Sequence, residues 1–132
     1  MSYMLDTNTC VFAIKKDARV LGAFKAHQHE GLFISSIVLS ELEYGVSHSQ
    51  RVEQNRVSLT QFLAIISLVS YNDRAAFEYG VLRADLQQRG CLIGNMDMLI
   101  AAHAIATDTV LVTNNTREFS RVRGLQITDW KH

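Results

Sequence analysis

The 132-residue sequence contains no proline, only two cysteines and no net charge. Without proline, and with its seven glycines scattered, it has no segment of linker composition, so we expect one domain over residues 1–132. Cys10 and Cys91 are too few for a disulfide framework and lack a CxxC spacing, so we expect free, buried thiols. The 13 basic and 13 acidic residues exclude a global positive field that would draw the protein onto nucleic acid, although not a local basic patch.

Long apolar runs are also missing. No run approaches the roughly 18 apolar residues of a membrane span, and no basic segment followed by an apolar signal core opens the sequence. We therefore expect a soluble, cytoplasmic protein with no membrane partner. Hydrophobic residues still make up 48% of the chain and charged residues 20%, which is enough apolar surface for a packed core.

Five short, β-prone apolar runs alternate with segments of helical periodicity. The runs are Tyr3–Leu5, Leu32–Ile34, Ile65–Val69, Thr109–Val112 and Leu125–Ile127. Strands that alternate with helices and are apolar on both faces predict an α/β/α sandwich with a mostly parallel central sheet. In such folds ligands bind beyond the carboxyl ends of the strands, so that edge is where a functional site is expected.

Three polar residues have the position and chemistry of helix N-caps: Ser36, Asn72 and Asn95. The helix after Asn72 is predicted to end at Gly90, where a left-handed residue is favoured. The helix after Asn95 is apolar on nearly every side and is expected to be buried. His103, within it, is predicted to be a hydrogen-bonded core residue.

Polar residues follow the first and the fourth predicted strands. Asp6 comes directly after the first strand, and the run Thr113 to Glu118 comes directly after the fourth. Because parallel strands end at the same edge of a sheet, we expect the two segments to lie close together. An aspartate in this position is also a common helix N-cap, so both interpretations of Asp6 stay open.

Further acids lie on the predicted helices. Asp97 is in the first turn of the apolar helix, where the helix dipole offers only about 0.3–1 kcal/mol and an unpaired buried carboxylate costs far more. Glu41 and Glu43 lie on nearly opposite faces of the helix after the second strand, so only one of them can point into a shared site. Periodicity alone does not choose between them.

Carboxylates that converge on one strand edge repel one another. A pair about 4 Å apart costs on the order of 4 kcal/mol at an effective dielectric constant of 20. Such a cluster persists if the carboxylates share protons or bind a divalent cation. Oxygen ligands without histidine or cysteine favour Mg²⁺ or Mn²⁺ over Zn²⁺.

Four segments, in this order, resemble those of PIN-domain ribonucleases and, among them, the VapC toxins of bacterial toxin–antitoxin pairs. They are MLDTN, SSIVLSELEYG, RADLQQRGCLIGNMDMLIAAHA and VTNNTREF, the last followed by GLQITDW. The resemblance covers essentially the whole chain. It implies the PIN fold, a Mg²⁺- or Mn²⁺-dependent endoribonuclease of translation-related RNA such as tRNA, an inhibitory VapB-type antitoxin, and a homodimer within a larger toxin–antitoxin complex.

The resemblance also implies catalytic, metal-binding residues. The strand-one aspartate of the family matches Asp6, its helix glutamate matches Glu41 rather than Glu43, and its next aspartate matches Asp97. Many members have a fourth aspartate at the position of Asn115. This chain lacks it, and Glu118, three residues later, is the expected replacement. Asn115 itself is the alternative, as a neutral or water-mediated ligand.

A second group of residues is expected to position the substrate. It contains polar residues of the matched motifs and two arginines that border the acids: Thr7, Asn8, Thr113, Asn114, Asn115, Arg83 and Arg117. Further arginines, Arg89, Arg121 and Arg123, suggest a phosphate-binding rim as an alternative to a merely solvated face.

Two rival functions fit the sequence less well. A non-catalytic PIN-type RNA-binding module is consistent with Asn115, but such modules usually lack one of the other acids as well. An aspartate-dependent phosphatase or phosphotransfer domain normally has Asp-x-Asp after the first strand, and here the sequence is Asp6-Thr7-Asn8. A P-loop nucleotide-binding protein is excluded because no GxxxxGK[ST] motif is present.

Overall fold

The computed structural model describes all 132 residues, Met1–His132, and contains a five-stranded sheet. The strands are β1 (Tyr3–Leu5), β2 (Leu32–Ser35), β3 (Ser67–Val69), β4 (Val110–Val112) and β5 (Ile127–Thr128). They are ordered β3-β2-β1-β4-β5, and every neighbouring pair is parallel. The predicted α/β class with a parallel sheet is therefore confirmed.

Seven α-helices flank the sheet. They are α1 (Thr7–Ile14), α2 (Ala18–His27), α3 (Ser36–Ser47), α4 (Val52–Leu63), α5 (Asp73–Gln88), α6 (Asn95–Ala106) and α7 (Thr116–Phe119), and a 3-10 turn covers Gln28–Glu30. The first four helices pack on one another, and α5 packs along α6. None of these helices has both the length and the apolar character that crossing a bilayer requires.

The elements β1, β4 and α6 are deeply buried. All three residues of each of these strands are buried, in accord with their position in the middle of the sheet. Half of the twelve residues of α6 are buried, including the unbroken run Ala101–Ala104, which confirms the prediction of a buried helix. Small alanine side chains let this helix pack closely against its neighbours.

His103 is fully buried, as predicted, and its Nδ1 lies 2.7 Å from the hydroxyl of Ser35. Both cysteines are free thiols, as expected, but only Cys10 is buried. Cys91 is partly exposed because it follows the end of α5, in the loop that leads to α6.

The ends of the helices differ from the predictions by a residue at two places. Asn72 caps α5 through its side chain, and Gly90, with φ of +69°, follows the end of that helix, so both predictions are confirmed. The cap of α3 is Ser35 rather than Ser36, because it is the Ser35 hydroxyl that accepts the N–H of Ile37. The cap of α6 is Gly94, which has no side chain, and Asn95 is already helical.

The edge strand β3 is more exposed than its apolar sequence predicts. Leu68 is 51% exposed, and Ile65, 52% exposed, lies outside the strand altogether. An edge strand has a neighbour on one side only, so its apolar residues are less completely covered. The inner strands β1, β2 and β4 instead lead directly into α1, α3 and the turn before α7, and these three junctions carry the polar residues considered next.

Candidate active site

Asp6 lies at the junction between β1 and α1 and is 5% exposed. Its Oδ1 accepts the N–H of Thr9 at 2.8 Å, so the residue is the N-cap of α1. Burial raises the pKa of Asp6 above its ordinary value, hydrogen bonds from Thr113 and Thr9 lower it in part, and the charge of Glu41 raises it again. Asp6 is therefore a helix cap whose negative charge is not fully compensated by the protein.

The two glutamates of α3 have different surroundings. The hydroxyl of Thr7, at the start of α1, donates a hydrogen bond to Oε1 of Glu41, which ties α1 to α3. Glu43 points elsewhere and forms an ion pair with Arg56 of α4 at 2.6 Å, where both side chains are 44% exposed. Only Glu41 of the two raises the pKa of Asp6, so Glu41 is the one beside the strand edge.

Asp97 lies in the first turn of α6 and is half-buried. Burial raises the pKa of its carboxyl, and the negative charges of Asp6, Glu41 and Glu118 raise it further. Asp97 therefore lies within electrostatic reach of the other three acids, although the four come from four separate parts of the fold. None of them forms an ion pair with a basic side chain.

The segment after β4 supplies three kinds of polar group, which are hydroxyl, amide and carboxylate. Thr113 is fully buried, and its hydroxyl accepts the N–H of Asn115 at 2.9 Å. The Oδ1 of Asn114 is buried without any hydrogen-bond donor. Asn115 is the N-cap of α7 but makes no side-chain cap bond, and Glu118 is half-buried and pairs with neither Arg117 nor Arg121. An unused acceptor and an unpaired acid thus occur together on this segment.

The donor set is consistent with a hard divalent cation, since it consists of carboxylate oxygens with an amide oxygen on the segment beside them. Carboxylates that lie close together without a basic partner gain the most electrostatic stabilisation from such an ion. As the side chains stand, however, no three acidic, histidine or cysteine side chains are close enough to surround one ion. Binding an ion through three of these residues therefore requires side-chain rotation.

The remaining predicted residues differ in whether they contact the acids. Thr7 contacts Glu41, whereas Asn8 is exposed on the first turn of α1. Arg117 is exposed and has no ion-pair partner. Arg83 contacts none of the acids. Its guanidinium donates a hydrogen bond instead to the hydroxyl of Tyr79, at 2.6 Å on the same helix.

Two residues beside the acids were not singled out in the sequence. Thr9 donates its N–H to Asp6 and its hydroxyl to the carbonyl of Val112 at 3.1 Å, so it joins the end of β1 to the end of β4. Its spacing of three residues from a capping aspartate is the signal that identifies it. Tyr44, three residues after Glu41 on α3, lines the same cleft as that glutamate, and the i, i+3 spacing indicates this neighbourhood.

Comparison with known proteins gives a consistent result. The PIN domain profile matches residues 3–125. The chain is 46% identical over 132 residues to ribonuclease VapC2 of Rickettsia felis and 43% identical over 131 residues to the tRNA(fMet)-specific endonuclease VapC of Shigella flexneri, with 98% of each chain covered in both cases.

A solved structure agrees with these sequence relatives. It is VapBC2 from Rickettsia felis bound to a DNA fragment from its promoter, and it matches the fold with a TM-score of 0.95 at 44% identity. The match covers 98% of this chain and 99% of that one. Similarity of sequence and of fold thus extends over the whole domain, including every segment that carries the four acids, and the chain belongs to the PIN-domain family and, within it, to the VapC ribonucleases.

Proposed function

We propose that this chain is the toxin of a type II toxin–antitoxin pair and a Mg²⁺- or Mn²⁺-dependent endoribonuclease. Its proposed metal ligands are Asp6, Glu41, Asp97 and Glu118. The observation that supports this most directly is the raised pKa of Asp97. Burial raises it first, the negative charges of the other three acids raise it further, and no basic side chain neutralises any of the four. PIN-domain VapC nucleases generally depend on a divalent metal.

Hydrogen bonds from two threonines would orient two of the proposed ligands before RNA arrives, and a third ligand would reach the ion by side-chain rotation. The N–H of Thr9 fixes the carboxylate of Asp6, and the hydroxyl of Thr7 fixes Glu41. When bound, the ion would lower the pKa of an attacking water and stabilise the charge that develops on the phosphate oxygens. The two carboxylates fixed in this way would lose less conformational entropy when the ion binds. Attack by water needs no side-chain nucleophile and leaves a 5′-phosphate and a 3′-hydroxyl.

The proposed substrate is RNA involved in translation, such as tRNA. One relative is named a tRNA(fMet)-specific endonuclease, and another occurs in a VapBC complex on promoter DNA. By analogy we propose that a VapB-type antitoxin inhibits this chain, and that the toxin is a homodimer within a larger toxin–antitoxin complex. Its place of action would be the cytoplasm, where this RNA is found.

The proposal is tested by incubating the purified chain with tRNA in Mg²⁺, in Mn²⁺ and in EDTA. We expect cleavage in either metal, none in EDTA, and none with Asp97→Asn in any of these buffers. Glu43→Gln is the matched control, since Glu43 lies on the same helix as Glu41 but pairs with Arg56, and it should cleave like the unchanged protein. Cleavage that persists in EDTA, or in Asp97→Asn, would contradict the proposal.

A further inference from the structure

An exposed aromatic pair borders the acids on α3. Tyr44 is 66% exposed and its ring stacks on that of His48, with the centroids 5.2 Å apart and the planes at 11°. Of the four tyrosines it is the most exposed, and its hydroxyl makes no hydrogen bond within the protein. Stacking on His48 restricts the rotation of the Tyr44 ring at the surface, where the ring adds nothing to the packing of the core.

Tyr44 lines a cleft that also contains Glu41, one of the acids. This cleft has a volume of about 350 Å³ and is lined by Thr7, Ser40, Glu41, Tyr44 and Met96. Tyr44 lies one helical turn beyond Glu41, so the two side chains are neighbours on one face of α3. Whatever occupies the cleft therefore contacts both the aromatic ring and the edge of the acid site.

The lining has the chemistry that suits a flat, neutral group with N–H donors. Tyr44 offers the face of a ring, and Met96, 39% exposed, offers a polarisable thioether that packs well against aromatic edges. Ser40 donates its hydroxyl to the carbonyl of Ser36 at 3.1 Å, which leaves the lone pairs of its oxygen free to accept. A nucleobase of single-stranded RNA has these features, since unpaired bases stack on aromatic side chains and form hydrogen bonds through their edges.

We infer that Tyr44, supported by His48 and sharing its cleft with Met96, is a stacking platform for one unpaired base next to the phosphate that would bind at the proposed metal site. The inference rests on the proposed ribonuclease function and adds to it a specific subsite for the substrate. It requires single-stranded or splayed RNA, because a base within a duplex cannot place its face on the ring. The platform would also set which phosphodiester of a loop enters the acid site.

Binding of an unstructured eight-nucleotide RNA tests the platform. We would label this RNA with fluorescein and measure its anisotropy in the Asp6→Asn background, where hydrolysis is expected to be lost. Removal of the ring in Tyr44→Ala should raise the Kd about tenfold, in line with typical base–aromatic stacking. Tyr44→Phe should stay within about twofold, because it keeps the ring. Phe77→Ala is the matched control, since Phe77 is 68% exposed but lies on α5, outside the cleft.

RNAs with a single abasic position identify the stacked base. In the protein with Tyr44, one abasic position should raise the Kd about tenfold. In Tyr44→Ala the same abasic position should not raise the Kd any further. The inference is overturned if Tyr44→Ala binds every RNA as tightly as the protein with Tyr44 does. It is also overturned if an abasic position weakens binding equally wherever it stands in the RNA. It is also overturned if Tyr44→Ala turns a dimer into a monomer in sedimentation, since the ring would then lie between two copies of the chain. If the protein with Tyr44 neither binds nor cleaves any RNA, the proposed function fails first and the platform with it.

Discussion

At the scale of single residues, Asp6 combines a structural and a chemical role that one substitution can separate. Its side chain caps α1, and asparagine caps helices about as well as aspartate does. Its charge is destabilised by burial and by Glu41. We expect Asp6→Asn to fold normally, to lose RNA cleavage, and to melt in EDTA at the same or a higher temperature than the unchanged protein. Cleavage near the original rate would show that Asp6 is only a cap.

Glu118 is the proposed replacement for the aspartate that is missing at Asn115. A surface ion pair with Arg117 or Arg121 would have given Glu118 an ordinary role worth about 0–1 kcal/mol, but neither pair is formed. A carboxylate attracts a divalent ion more strongly than an amide oxygen does. We therefore expect Glu118→Gln to raise the Mn²⁺ concentration needed for half-maximal cleavage much more than Asn115→Ala does. If Glu118→Gln needs no more Mn²⁺ than the parent, the site has only three acidic ligands.

His103 makes stability depend on pH through its burial. Its Nδ1 contacts Ser35, its Nε2 has no hydrogen-bond partner, and its ring packs edge-on against Tyr71. Burial lowers the pKa of His103 below the ordinary value for histidine. As the pH falls below about 6.5, the unfolded chain takes up a proton at this position before the folded protein does, so unfolding becomes more favourable.

We expect the contribution of His103 to lower the free energy of unfolding by up to about 1.4 kcal/mol per pH unit below pH 6.5. Denaturant titrations at pH 7.5, 6.5 and 5.5 measure this slope. His103→Asn should reduce the slope, whatever its effect on stability at pH 7.5, because the side chain can no longer titrate. The matched control is His29→Asn, at a histidine whose side chain is 77% exposed. Equal slopes in His103→Asn and the parent would contradict this account.

At the scale of elements, the hydrogen bond from Thr7 to Glu41 connects the start of α1 with the face of α3 that borders the acids. Thr7→Val keeps the shape of the side chain but removes the donor, so Glu41 loses its fixed orientation. We expect about a tenfold fall in kcat/KM for RNA with the melting temperature little changed, a size typical of one hydrogen bond to a charged group. Thr7→Ser, which retains the hydroxyl, is the control and should cleave normally. Activity in Thr7→Val equal to that of Thr7→Ser would exclude a positioning role.

The bounds of strands and helices were predictable where the sequence pattern that sets them is local. The run Tyr3–Leu5 coincides with β1, and Asn72 and Gly90 mark the ends of α5, because apolar runs, cap chemistry and left-handed glycine act within a few residues. The boundary at α3 was wrong by one residue. Ser35 and Ser36 have the same side chain, and only the direction of the chain as it leaves β2 decides which hydroxyl accepts the helical N–H.

The site was predictable as a set of motifs but not as a network. Asp6 stands out because it follows a buried strand, and a family resemblance was needed to choose Glu41 over Glu43. The hydrogen bond between Thr7 and Glu41 joins residues 34 positions apart, and the contact between Ser35 and His103 joins residues 68 positions apart. Contacts of this kind depend on how helices pack over the sheet, which no local pattern in the sequence reports.

At the scale of the whole molecule, the formal charge of zero conceals an uneven distribution. Basic residues pair with acids such as Asp17, Glu43 and Asp85, while the acids at the strand edge are left without partners. An ion that binds only the folded protein stabilises it by about 2.7 kcal/mol at a hundred times its Kd. We expect Mn²⁺ to raise the melting temperature by several degrees and expect most of this rise to be lost in Asp97→Asn. NaCl of equal ionic strength is the control, and an equal rise with NaCl would indicate screening rather than binding.

The order of the strands also has a consequence for synthesis. The first strand to leave the ribosome, β1, lies in the middle of the sheet, and one of its two neighbours, β4, is translated near the end of the chain. Until β4 emerges, β1 has an unpaired edge, and Asp6 lacks the Val112 carbonyl that accepts its N–H and the Thr113 hydroxyl beside it. A nascent chain halfway through translation therefore holds Asp6 and Glu41 but neither Asp97 nor Glu118. A polypeptide released from a stalled ribosome before Glu118 is translated lacks at least one of the four proposed metal ligands, so we expect it to leave the RNA of the cell intact.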